Sequence, residues 1–180
     1  MPLSLPPTTK AFANKVVVVL DTAPAATTGI PTSTEVNAAF FAALHMYTPF
    51  SVTPSQNSGE GPRKLGSRFT PTELGMVTYP AVEVQYSYVP QSLGTPGAAG
   101  NELYELMTPG EVLTIAVFDG LDGELDAIPA DAIGDVYLVE CGVRRKGSTG
   151  EGEFDHLSVT QTLVIKGGEP IVEDHEFAAA

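Results

Sequence analysis

The residues of this sequence best equipped for chemistry are three histidines, one cysteine and a cluster of carboxylates. His45, His156 and His175 lie far apart, and no pair of them has the spacing of metal ligands. Cys141, the only cysteine, excludes an intrachain disulfide and a cysteine-based zinc site. Set among valines, it is expected to pack as a small apolar residue and not to act as a nucleophile. No serine stands in a Gly-x-Ser-x-Gly elbow. Gly59-Glu60-Gly61 opens no helix and lacks the lysine of a phosphate cradle. Asp119, Asp122, Glu124 and Asp126 crowd one loop, but calcium needs alternating oxygens closed by a bidentate glutamate, and this spacing does not fit. A solvated acidic loop is expected there. Carboxylate pairs for glycoside hydrolysis meet only in space, so the sequence leaves them open. The absence of tryptophan argues against a sugar-stacking cleft. No catalytic residue, metal ligand or cofactor is assigned.

With catalysis unsupported, composition carries more of the argument. The 180 residues are 43% hydrophobic and only 17% charged, enough for one domain with a proper core and too apolar for general disorder. Eighteen glycines and 15 prolines set between β-branched runs favour a turn-rich β fold. The net charge of −13 repels nucleic acid and anionic membranes from most of the surface. It does not exclude a conduit for DNA, which must avoid binding what passes through it. Residues 1–10 lack the apolar stretch of a signal peptide, and the longest apolar run, Val16 to Leu20, is too short to span a bilayer. A protein made and kept in a reducing cytoplasm, or released from it by lysis, is expected.

The elements follow from spacing. Residues 1–14 are expected to be an extended arm, because Pro2, Pro6 and Pro7 forbid regular pairing. Lys15 to Asp21 predicts a buried strand. Thr32 and Glu35 stand at capping-box spacing after Pro31, and Val36, Ala39, Phe40, Ala43, Leu44 and Tyr47 repeat at helical intervals, which predicts one flanking helix. Residues 48–68 form a polar stretch expected to be a long loop, holding three of the nine basic residues. Pro80 to Pro90 is the clearest strand, with Val82, Val84, Tyr86 and Tyr88 on one face and Glu83, Gln85 and Ser87 on the other. Asn101 is expected to cap a short helix through Met107. Glu111 to Phe118, apolar on both faces, predicts a central strand. Asp135 to Arg144 and Asp155 to Ile165 predict two more, joined by a charged, glycine-rich connection over 145–154. In the latter, Ser158, Thr160 and Thr162 oppose Leu157, Val159, Leu163 and Ile165. The division expected is an arm over 1–14, a β domain over 15–166 and a second arm over 167–180.

Three segments together carry a resemblance. Lys64-Leu65-Gly66-Ser67-Arg68 leads through Leu74-Gly75 and Tyr79-Pro80 to Val82-Glu83-Val84-Gln85-Tyr86-Ser87-Tyr88-Val89-Pro90-Gln91. Asn101-Glu102-Leu103-Tyr104-Glu105-Leu106 ends at Thr108-Pro109-Gly110. Gly134-Asp135-Val136-Tyr137-Leu138-Val139-Glu140-Cys141-Gly142-Val143 precedes Phe154-Asp155-His156 and Thr160-Gln161-Thr162-Leu163. Over about residues 60 to 165 this order resembles the tail tube (major tail) proteins of siphophages, especially those infecting actinobacteria.

The resemblance implies a mainly β chain: a β-sandwich or barrel with one flanking α-helix, a long stacking loop and extended N- and C-terminal arms. It implies a structural, non-enzymatic virion protein whose subunits form hexameric rings, stacked into a non-contractile tube through which DNA passes without specific binding. The implied partners are other copies of the chain and further tail proteins (tape measure, tail tip and terminator), with no membrane; assembly would take place in the host cytoplasm. Gln56, Asn57, Glu60, Arg63, Lys64 and Arg68 are the candidate inter-ring loop residues. Glu83, Gln85, Ser87, Ser158, Thr160 and Thr162 are candidates for a polar bore wall, the alternative being an outer solvent face. By the same logic Arg144, Arg145 and Lys146 are expected to point away from the bore, at a turn. The readings that compete are another virion β-sandwich (a tail terminator, a decoration protein or a contractile-tail inner tube) and a carbohydrate-binding module.

Overall fold

Lys15–Leu20 (β1) carries five apolar residues in succession, which no single buried face can satisfy, and the sheet buries it on both sides. The computed structural model describes residues 13–92 and 100–178, and β1 lies next to one edge of its main sheet. One neighbour of β1 is the short β2 (Phe40–Phe41), and the other is β6 (Val112–Asp119). The sheet continues through the long β7 (Ala132–Ser148) and β8 (Leu157–Ile165) to β5 (Val82–Ser87). β9 (Val172–Phe177) pairs with the first part of β7, whose second part pairs with β8. Every pairing is antiparallel. The chain is mainly β, a curled half-barrel with few helical residues, as its turn-rich composition leads one to expect.

Two apolar clusters flank the sheet. The first gathers Val17 and Val19, Ile115, Val139, Leu163 and the inward face of β5 (Val82, Val84 and Tyr86). Leu103 and Met107, at the second helix α2 (Glu102–Leu106), cover it. The second lies on the opposite face, where Val16, Val18, Ala116, Phe118 and Val136 meet Val36, Ile128 and Phe177. Gly134 is required here: a Cβ on it would come within 2.6 Å of the Phe118 ring. That close approach lets Phe118 and Phe177 pack with ring centroids 5.1 Å apart, fixing β9 to the sheet.

Three expected features differ. The first helix, α1 (Ser33–Ala38), has the full Thr32–Glu35 capping box but stops after six residues. Phe40 and Phe41 leave it to pair with Val19 and Val18 at the free edge of β1. The helical stripe is thereby broken, and Leu44 faces solvent. A strand edge offers backbone partners that two aromatic, strand-favouring residues accept more readily than another helical turn. Residues 48–68 are not an irregular loop: they include β3 (Ser55–Glu60), which pairs with β4 (Thr72–Thr78) as a separate two-stranded hairpin. The stretch from residue 167, expected to be an arm, returns to the sheet as β9. The expected N-terminal arm lies outside the described residues apart from Ala13 and Asn14, whose carbonyls accept from Gly123 and Gly120 at 2.9 and 2.8 Å.

Candidate assembly surfaces

Two surfaces stand out from the packed sheet. The first is the open face of β5 and β8. Their register sets Glu83 opposite Thr162, Gln85 opposite Thr160 and Ser87 opposite Ser158, so the six polar residues singled out from the sequence share one face. Ser158 is itself closed over, its hydroxyl accepting from Gln85 Nε2 at 2.9 Å. Arg145 joins this face opposite Thr160 and forms an ion pair with Glu83. That corrects the expectation that Arg144, Arg145 and Lys146 leave together at a turn. They belong to β7, where alternation sends Arg145 to one side and its two neighbours to the other. Arg144 donates to the carbonyls of Tyr104 and Met107 at the end of α2, and its guanidinium lies 4.0 Å from the Tyr104 ring centroid. Lys146 stands 5.0 Å from the Tyr88 ring. Farther along the outward face, Lys166 pairs with Glu140 at 2.6 Å.

The reverse side of these strands holds a group that the alternation pattern passes over. Gln161 sits among the apolar positions of β8, fully buried, yet its amide is satisfied throughout. Its Oε1 accepts from Tyr86 Oη at 2.7 Å, and its Nε2 donates to Met107 O at 3.0 Å and Gly142 O at 2.7 Å. Burial pushes the Tyr86 hydroxyl up to about 12, keeping it a donor. Asn101 was expected to cap α2 but instead clamps Val89, accepting from its N–H at 2.9 Å and donating to its carbonyl at 2.8 Å. Between them Gln161 and Asn101 tie α2 to β5 and β8. The only sequence signal for Gln161 is a polar residue in register with Val159 and Leu163.

The second surface is the β3–β4 hairpin. It carries Gln56, Asn57 and Glu60 on β3 and Arg63, Lys64 and Arg68 in the connection to β4. Arg63 Nε donates to Ser67 O at 2.9 Å, and Gln56 Nε2 to Gly75 O at 2.9 Å. The hairpin pairs with no other described strand, and every residue of its two strands is exposed. Leu74 and Met76 project exposed from β4, and Leu65 and Phe69 from the connection. An isolated two-stranded hairpin is at best marginally stable in water, so this one has the character of a docking element.

The other chemistry-bearing residues remain dispersed. His45 lies 4.0 Å from Glu102, His156 stacks on Tyr47 at 6.3 Å, and His175 meets Phe177 edge-on at 4.8 Å. Asp119 pairs with Lys15 at 3.2 Å, and Asp122 Oδ1 accepts from Glu124 N at 3.1 Å. Among the described residues, no three His, Cys, Asp or Glu side chains are grouped so as to hold a metal ion. Cys141 is buried, which pushes its thiol up to about 11. No described helix is long and apolar enough to cross a membrane.

The family model for phage tail tube proteins matches residues 4–169. The chain belongs to the phage tail tube protein family. As a tail tube family member it is a structural component of the virion, built to assemble with itself and with other tail proteins. No curated protein matches the sequence. Among solved structures, it is similar to a chain of the anti-feeding prophage baseplate, a cryo-EM structure symmetrised six-fold. That similarity has 11% identity, covers 91% of this chain and 94% of the other, and has a TM-score of 0.46, a likeness that carries no functional weight.

Proposed function

We propose that this tail tube protein closes into hexameric rings that stack into the non-contractile tube of a siphophage, of the kind that infects actinobacteria, and that DNA is delivered through the bore. The observation that carries this reading is the exposed hairpin: a strand pair with apolar side chains and three cations on its connection, and no partner strand among the described residues. A protruding element that needs a second surface, on a subunit that also offers one, generates a heterologous contact that repeats instead of closing on itself. The domain proposed runs from 15 through the end of β9 at 177, in place of the expected boundary at 166, with the hairpin as the inter-ring element in place of a loop and residues 1–14 as an arm. The Glu83–Thr162 face is proposed as bore wall; its one arginine is neutralised by Glu83, so it offers DNA no unpaired cation. The tape measure, tail tip and terminator proteins are the proposed partners in a virion assembled in the host cytoplasm.

Negative-stain microscopy of the concentrated protein, alone and with the other tail proteins, tests the proposal. Hollow tubes with six-fold end views are expected. Dispersed monomers under both conditions would overturn it, and tubes found only inside a contractile sheath would replace the non-contractile assignment.

A further inference from the structure

The cations of this acidic chain are unevenly engaged. Lys15, Arg145 and Lys166 each pair with a carboxylate, and Arg144 and Lys146 lie against tyrosine rings. Arg63, Lys64 and Arg68 have no carboxylate at ion-pair distance among the described residues. They flank the exposed side chains of Leu65 and of Phe69, which is 82% exposed. The hairpin connection is therefore both basic and apolar.

One other described loop has the complementary character. Between β7 and β8, Glu151 and Glu153 lead into Phe154, which is 89% exposed. The loop is held in shape from within: Asp155 accepts from Gly152 N and from Thr149 Oγ1 at 2.8 Å, and His156 N donates to Thr149 Oγ1 at 3.0 Å. Those bonds hold the Asp155 carboxyl below its usual range. The loop after β6 is also acidic, but its Leu121 and Leu125 pack against the second cluster and Ile128 is buried in it, so it offers charge without apolar surface.

Position completes the match. The hairpin root, Ser55 opposite Thr78, joins β5 at its Val82 end. The Glu151–Phe154 loop runs into β8 beside Ser158, which pairs with Ser87 at the other end of β5. A six-residue strand separates the two by about 3.3 Å per residue, or about 17–20 Å. A basic, apolar protrusion and an acidic, apolar tip thus leave opposite ends of one strand pair. Two copies placed head to tail bring them together, and the contact repeats without limit.

We propose that the β3–β4 hairpin of one copy docks on the Glu151–Phe154 loop of a second copy, Arg63, Lys64 and Arg68 facing Glu151 and Glu153 while Phe69 and Leu65 cover Phe154. This rests on the tube reading and names the surface that receives the hairpin. Charge reversal tests it in the full-length chain. R63E/K64E/R68E and E151K/E153K are each expected to lose tube formation while keeping the wild-type circular dichroism and melting temperature. The chain carrying all five changes restores opposite charges and is expected to recover tubes. Failure of that recovery, with wild-type tubes forming normally, overturns the pairing and leaves the tube reading intact. Normal tubes from E151K/E153K also overturn it, and direct the hairpin to another surface or another tail protein. A wild-type chain that forms no tube with or without the other tail proteins overturns both. An independent readout mixes K64C chains with E153C chains under oxidation. A cross-linked heterodimer is expected well above the yield of K64C with E124C, and equal yields count against the contact.

Discussion

Tyr86 and Gln161 show how a single polar pair can organise a core. The tyrosine hydroxyl donates to the buried amide, and the amide spends both its donors on backbone carbonyls of α2's C-terminus and β7. Replacing Tyr86 by Phe leaves the Gln161 oxygen buried without a donor, which costs about 1–3 kcal/mol. The denaturant midpoint should fall accordingly, with an unchanged slope; an unaltered midpoint would show that the hydroxyl contributes nothing. Glu35 offers a pH-dependent counterpart. Its carboxylate accepts from Thr32 N at 2.7 Å and Ala25 N at 2.8 Å, which holds its pKa below the ordinary 4.5. A carboxyl depressed by folding stabilises the fold at pH above its unfolded value, and that contribution is lost as pH falls through the folded one. Melting curves should therefore separate wild type from Glu35→Gln at neutral pH and converge as the solution is acidified. A constant gap across that range would show that the capping bonds do not depend on ionisation.

At the scale of elements, legibility followed burial. The valines of β1, the alternation of β5 and the two-sided apolar run of β6 were readable because hydrophobic periodicity reports which faces the chain itself covers. The six bore-wall candidates fall on one face for the same reason, although β7, whose Arg145 joins them, was expected to end at Arg144. β3 and β4 were invisible: neither face of the hairpin is covered by the described residues, so Ser-Gln-Asn-Ser-Gly-Glu carries no period to detect. The helical spacing through Tyr47 misled because a strand edge captured Phe40 and Phe41, a tertiary demand that local spacing does not encode. The same independence makes the hairpin removable. No residue of 55–78 belongs to either apolar cluster, so replacing 56–77 with a short glycine–serine turn should leave circular dichroism and melting temperature close to wild type. Tube formation should be lost. A truncated chain that still forms tubes would remove the hairpin from the inter-ring contact, and one that unfolds would make it part of the domain.

For the whole molecule, the net charge of −13 and the placement of its few cations belong to one design. Acidic surface keeps phosphate at a distance, and the arginine and lysine on the outward side of the sheet are matched to Glu83 and Glu140. If the Glu83–Thr162 face lines the bore, charge there should govern passage more than assembly. Glu83→Lys with Thr160→Lys keeps the backbone ladder of β5 and β8, so tubes should form in normal number. Each ring would then present lysines to the DNA and leave Arg145 unpaired. For about six phosphate contacts per ring, affinity would fall by about 10³ between about 50 and 200 mM salt, so tubes should retain DNA at the lower concentration and release it at the higher. Particles carrying the variant should adsorb normally yet deliver DNA poorly, giving fewer plaques per particle. Wild-type infectivity, with no DNA retained at low salt, would place this face on the outside of the tube and move the bore to another strand.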